Sequence, residues 1–188
     1  LGGLLLVFIV MLAWLFAMPA RFAAAELMFA VVALAAVLAA GSLLLKKYAA
    51  RMNLPAENPA LEHMPVLAML PAFTLIFFAA IHLRPLEPHA VFSAALAIDA
   101  MLLASAVITG RGAVAYAALA GTFLVQLAWR LGLEPGLELV GMAWYGGFLA
   151  VFLGFPFLFR ARVLNSPHMW ITAALAGPAQ FALVYYTG

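Results

Sequence analysis

The sequence predicts an all-α integral membrane protein, a polytopic bundle of about seven transmembrane helices. Hydrophobic residues make up 69% of the chain and charged residues only 9%, with a mean hydropathy of +1.16. Soluble domains are nearer half apolar and a quarter charged. The apolar residues also form long runs, and the short connectors between the runs carry nearly every charge. Lipid is therefore the solvent that suits this chain.

A helix that crosses the hydrocarbon of a bilayer needs roughly 20 apolar residues. The predicted spans are residues 1–18, 23–45, 65–83, 89–109, 113–130, 137–159 and 169–187. Their Ala, Leu, Phe and Met content favours helices, and the alternating pattern of a barrel strand is missing. We therefore expect one helical bundle without a soluble domain.

The first span starts at Leu1, already within an apolar run, and the last one ends next to Gly188. No basic segment typical of a signal peptide precedes the first span. We expect the chain to be a segment of a longer membrane protein, and a processed chain is the alternative.

The connector after the second span predicts the orientation of the chain. Its residues 46–51 include Lys46, Lys47 and Arg51, the densest group of cations in the sequence. Cytoplasmic connectors are enriched in Lys and Arg. Alternating the sides outward from this connector gives six cations inside and three outside, which predicts a cytoplasmic N-terminus and a periplasmic C-terminus. The next stretch, 49–64, contains Pro55 and Pro59 and is predicted to be an interfacial loop.

The turn between the third and fourth spans contains His82 and His89, which lie at the ends of different predicted helices. Their spacing matches no known metal-ligand pattern, and the chain has no cysteine to supply thiolate ligands. The sequence therefore predicts neither a metal site nor a cofactor.

Asp99 lies near the centre of the fourth span. An ionised carboxylate at mid-bilayer costs roughly 2.5–3.5 kcal/mol on insertion scales. The side chain must therefore be protonated, paired or next to water. We expect it to join helices by hydrogen bonds, and a proton-linked transport role is the alternative.

The fifth and sixth spans contain two further packing signals. Thr122 and Gln126 are four residues apart, so they share one face of a helix. Such polar groups join helices more often than they bind a solute. In the sixth span, we expect the glycines to mark close contact with other helices; they are Gly141, Gly146, Gly147 and Gly154.

The seventh span contains Gly177 and Pro178 at its middle, followed by Gln180. Proline removes a backbone donor and glycine loosens the same turn. Broken helices at this depth line the substrate sites of many transporters. The sequence therefore allows a transport site in which Gln180 faces Asp99, although proline kinks also occur in spans that have no site.

No recognised catalytic motif is present, neither the Gly-x-Ser-x-Gly turn of hydrolases nor the His-Glu-x-x-His helix of zinc proteases. We therefore expect no catalytic residues. A membrane enzyme acting on lipid-linked substrates would need Glu87, Glu134 and Glu138 to meet around one groove.

The C-terminal part resembles a known group of proteins. The residues concerned are Arg160-Ala161-Arg162, Ser166-Pro167-His168-Met169-Trp170 and the run from Ala173 to Phe181. Over residues 100–188 the chain resembles large polytopic bacterial inner-membrane proteins, a family of uncharacterised domains. The resemblance implies a bacterial inner-membrane location and supplies no site residues.

Three functions are consistent with these features. The first is a structural or accessory role, in which the helices pack against other membrane protein or against further spans of the same chain. The second is a transporter or proton-linked permease that uses Asp99, Gln180 and the Gly177–Pro178 break. The third is the membrane enzyme acting on lipid-linked substrates. Nucleic acid is not an expected partner, because the net charge is only +2.

Overall fold

The computed structural model describes residues 9–10, 13, 24–49, 72–77, 81, 87–132 and 135–185. Within these ranges the regular secondary structure is entirely helical, and no strand occurs among them. The predicted all-α fold class is therefore confirmed. Most of the predicted spans 1–18 and 65–83 lies outside the described residues, so the number of spans stays a prediction.

Six described helices form the bundle. They are α1 (Ala24–Ala49), α2 (Pro88–Thr109), α3 (Gly112–Arg130), α4 (Glu138–Leu158), α5 (Arg160–Val163) and α6 (Pro167–Tyr185). Residues 72–77 are also helical. In the described part of the chain, α2, α3 and α4 are long and apolar enough to cross a membrane. The chain is a membrane protein.

A two-residue turn joins α2 to α3. Pro88 occupies the first turn of α2, where its missing N–H is not needed, and Gly110 ends the helix with φ +71°. The Arg111 N–H donates to the Ala106 carbonyl at 3.1 Å, which closes a Schellman motif. Because a side chain would strain the backbone at Gly110, this position favours glycine. The short connection makes α2 and α3 antiparallel neighbours.

The remaining helices complete an up-and-down arrangement. α2 packs on α3, α3 on α6, and α6 on α4, while α1 packs against α2. The starts of α3 and α6 meet, because Gly112 lies against His168. Further along the same two helices Gln126 contacts Gln180, so α3 and α6 run parallel. Thus α2 and α4 point one way, and α3 and α6 point the other.

An aromatic cluster around Phe92 of α2 packs α2, α3 and α4 together. The Phe92 ring lies 5.0 Å from the Trp129 ring, 6.2 Å from Tyr145 and 6.1 Å from Phe148, each in an edge-on arrangement. Edge-on aromatic pairs add stability beyond the area that they bury. Trp129 is only 5% exposed, so its main role is in the core rather than as an anchor at the membrane surface.

The glycines of α4 differ in what lies beside them. A Cβ atom added at Gly141 would lie 2.9 Å from the Trp129 ring, which is the close helix contact that the sequence predicts. Among the described residues, nothing lies within 4 Å of a Cβ atom added at Gly146, Gly147 or Gly154, so for these three glycines close contact stays a prediction. These three glycines lie away from the packed interior, because α4 turns a different face towards its neighbours.

The last helix is continuous. α6 runs from Pro167 to Tyr185 through both Gly177 and Pro178, so the predicted break is absent. Proline removes one backbone hydrogen bond, and the turns on either side remain helical. Pro178 is exposed, and among the described residues nothing lies within 4 Å of a Cβ atom added at Gly177, so this pair faces away from the described core.

Candidate functional site: polar pairs buried in the bundle

The first polar pair joins α2 to α3. Asp99 lies at the middle of α2, and Thr122 faces it from α3; both side chains are 0% exposed. The Thr122 hydroxyl donates to Asp99 Oδ2 at 2.5 Å. This short bond gives the buried carboxyl a partner from another helix. The expected helix-joining bond of Asp99 is therefore present.

The second pair joins α3 to α6. Gln126 and Gln180 are 0% and 2% exposed, and Gln180 Nε2 donates to Gln126 Oε1 at 2.8 Å. An amide buried without a partner would cost roughly 1–3 kcal/mol by protein mutational data. The bond therefore favours the parallel register of the two helices.

α3 connects the two pairs. Thr122 and Gln126 lie one turn apart on it, so their shared face is confirmed, but they bind different neighbours. A direct contact between Asp99 and Gln180 would have favoured the transport hypothesis. Each of these side chains is hydrogen-bonded to α3 instead, and transport stays a prediction. The Gly177–Pro178 pair is not part of the cluster.

Three polar atoms in the cluster have no hydrogen-bond partner within the described structure. They are Asp99 Oδ1, Gln126 Nε2 and Gln180 Oε1. Ser105 Oγ of α2 also has no hydrogen-bond partner within the described structure, and this residue is 5% exposed. Sequence reasoning missed Ser105, although a serine six residues after Asp99 in an apolar span was a usable signal. Buried polar groups of this kind commonly bind an internal water.

The donors and acceptors of these pairs join neighbouring helices. A serine or threonine nucleophile needs an adjacent base. The histidines of the described helices, His89 and His168, are both exposed rather than buried beside the cluster. No group of three His, Cys, Asp or Glu residues that could hold a metal ion occurs within the described ranges.

Both exposed histidines contact aromatic side chains near the helix ends. Trp144 Nε1 donates to His89 Nδ1 at 3.2 Å, which links α4 to the start of α2. The Tyr116 hydroxyl lies 3.4 Å from His168 Nδ1, which links α3 to the start of α6. Each histidine therefore takes part in a contact between two helices.

An apolar cavity of about 360 Å³ lies between the helical segment 72–77 and α3. Its lining residues are Phe73, Thr74, Phe77, Ala117, Ala120, Gly121 and Leu124. Gly121 gives Phe73 space, because an added Cβ atom would lie 2.8 Å from that ring. None of the described lining residues is charged.

Charge is distributed unequally between the two ends of the four-helix unit α2, α3, α4 and α6. The end formed by residues 110–111 and 159–166, here called the arginine end, contains Arg111, Arg160 and Arg162. The opposite end contains Glu87, Glu138 and Arg130. Among the described residues of these helices and connectors, the arginine end has no acidic residue.

The described structure is that of an α-helical membrane protein in which two pairs of buried polar side chains are hydrogen-bonded between helices. Comparison with protein-family models, with curated proteins and with solved structures finds no match to this chain.

Proposed function

We propose that the chain acts as a structural or accessory membrane protein that packs against other membrane protein or against further spans of a longer chain. The observation that carries this proposal is the pairing of the buried polar residues with one another. The hydrogen bonds of Asp99 and Gln180 go to α3, and neither side chain is open to a solute at the surface.

The outer face of α4 is the surface on which a partner packs. The helices α2, α3 and α4 each contain an apolar stretch of 18 residues, here called the apolar window. Only 33% of the apolar window of α4 is buried, compared with 61% for α2 and 56% for α3. This face carries small residues at helical spacing, namely Ala143, Gly147, Ala150 and Gly154. We call them the α4 small-residue face. Small residues let the backbones of membrane helices approach closely.

Gly147→Leu tests this role. A Cβ atom at Gly147 meets nothing within 4 Å, so the substitution leaves the described interior unchanged while it blocks close approach from outside. Gly41→Leu on α1 is the matched control, since nothing lies within 4 Å of that position either. The readout is assembly size, from blue-native electrophoresis of membranes solubilised in mild detergent.

We expect the wild type and Gly41→Leu to migrate in a common larger assembly, and Gly147→Leu to migrate as a smaller species. Wild-type protein that migrates alone, at the size of a single 20.0 kDa chain, would contradict the proposal. Equal assembly of the two variants would contradict the assignment to α4.

Proton-linked transport is the second candidate, and the unpartnered atoms of Asp99 and the two glutamines favour it. Asp99→Asn distinguishes the two functions in liposomes with an entrapped pH-sensitive dye under an imposed pH gradient. Transport predicts that the variant loses proton flux and keeps its assembly. The structural role predicts weakened assembly and the same dye response as the wild type.

The location in a bacterial inner membrane belongs to the same proposal and rests on the resemblance over residues 100–188, and the charge difference between the two ends supports the orientation. With the arginine end in the cytoplasm, the positive-inside rule is satisfied. The chain has no cysteine, so single cysteines report the sides directly. In intact cells, an impermeant maleimide should label Pro135→Cys and spare Ala161→Cys. The reverse pattern would invert the orientation.

A further inference from the structure

At the arginine end, exposed apolar side chains continue directly into exposed cations. Phe157, Leu158 and Phe159 are 66%, 82% and 43% exposed, and Arg160 and Arg162 follow them on the surface. α4 has 21 residues, roughly 30 Å of helix, so its end reaches the boundary between hydrocarbon and headgroups. The segment therefore presents an apolar part to the hydrocarbon and a cationic part to the headgroup layer.

The neighbouring helix places an aromatic ring at the same level. The Trp170 ring of α6 lies 5.1 Å from the Phe157 ring in an edge-on contact. Tryptophan is enriched at the membrane–water boundary, because its ring is apolar and its N–H is polar. This contact joins the ends of α4 and α6 into one surface beside the two arginines.

The positive charge of this surface favours an anionic ligand. The described residues of the arginine end include three arginines and no acidic residue. Guanidinium groups bind phosphate oxygens through paired, charge-assisted hydrogen bonds. Basic residues next to membrane helices attract anionic lipids, and each contributes about 1 kcal/mol near the surface, or about fivefold in binding.

We propose that the segment Phe157–Arg162 binds an anionic phospholipid. Arg160 and Arg162 hold the headgroup phosphate, and an acyl chain lies along Phe157 and Leu158. A lipid fits better than free phosphate, because the exposed apolar residues adjoin the cations directly. This site is separate from the α4 small-residue face, so either proposal can fail without the other.

Native mass spectrometry of the full chain tests the site. The protein is released from nanodiscs made of equal parts of phosphatidylglycerol and phosphatidylcholine, and the lipids that stay bound are counted. We expect the wild type to retain phosphatidylglycerol preferentially. Arg160→Gln combined with Arg162→Gln should reduce that preference by roughly 25-fold, from about fivefold for each arginine.

Three variants separate the site from general charge. Arg130→Gln, which removes a cation at the opposite end, should keep the preference, whereas Arg162→Gln alone should reduce it by about fivefold. Arg160→Lys combined with Arg162→Lys should keep part of it, because the charge remains and the paired geometry is lost. Since Arg160 and Arg162 are exposed, these variants leave the described interior intact.

Equal retention of the two lipids by the wild type would overturn the proposal, as would an unchanged preference in the double glutamine variant. Displacement of phosphatidylglycerol by millimolar inorganic phosphate would overturn the lipid assignment, because the headgroup anion alone would then account for binding. Resistance to such displacement supports a lipid that is bound through both its headgroup and an acyl chain.

Discussion

Helices α2 and α4 are nearly equal in length, with 22 and 21 residues, and both are strongly apolar, yet they occupy different environments. The bundle buries 61% of the apolar window of α2 and only 33% of that of α4. In lipid, apolar surface gains little by leaving the solvent, so packing and interhelical hydrogen bonds decide which helix is central. α2 contains Asp99, which needs a partner, whereas α4 presents its small residues outward.

The largest predicted effect comes from the aromatic cluster that anchors α2. Phe92→Ala should lower the free energy of unfolding by about 3–5 kcal/mol, because it empties a fully buried ring site. Phe157→Ala on α4 should change it by no more than about 0.5 kcal/mol, since that ring is 66% exposed. Both values are measurable by unfolding in mixed detergent micelles. An equal loss of unfolding free energy in the two variants would contradict the assignment of α2 to the core and of this part of α4 to the surface.

The glycines of α4 sharpen the comparison within one helix. Gly141→Leu should lower the free energy of unfolding by about 1–3 kcal/mol, because the new side chain collides with the Trp129 ring. Gly147→Leu should stay within about 0.5 kcal/mol of the wild type in the isolated protein. Thermal unfolding in detergent compares the two. A large loss for Gly147→Leu would mean that its face is packed within the monomer.

The Asp99–Thr122 bond should be worth less than the aromatic cluster. Thr122→Val keeps the shape of the side chain and removes the donor, which should cost about 1–3 kcal/mol because Asp99 then loses its partner. Thr122→Ser retains the hydroxyl and serves as the control. Unfolding of all three proteins under one condition gives the comparison. If the valine variant were as stable as the serine variant, the bond would not hold α2 in the centre.

Among the three interactions compared, the smallest contribution is predicted for the glutamine pair. A double-mutant cycle of Gln126→Leu and Gln180→Leu should give a coupling of about 0.6 kcal/mol, the average for hydrogen bonds between membrane helices. The leucines keep similar bulk, so the cycle isolates the bond between the two amides. A coupling energy near zero would mean that the shapes of the packed side chains, and not the bond between the amides, set the register of α3 and α6.

Some of the site could be predicted from the sequence, because helical spacing alone puts Thr122 and Gln126 on one face. Their partners could not be predicted, because a residue's face does not reveal which helix lies opposite. Asp99 could have met Gln180, and both bind α3 instead. The glycines show the same limit, since Gly141 and Gly147 are alike in sequence and differ only in what surrounds them.

By itself, the sequence determined the solvent and the fold class. Apolar runs of this length require lipid, and a lipid-exposed backbone must satisfy its hydrogen bonds within each helix. Only the tertiary structure decided the neighbours: Thr122 for Asp99, Gln180 for Gln126, and, among the described residues, nothing within 4 Å of a Cβ atom added at Gly177. The physical reason is that the composition of each apolar run determines its environment and its helical structure separately from the other runs. Pairing depends on the rotation and register of one helix against another, and short connectors and packed rings set these.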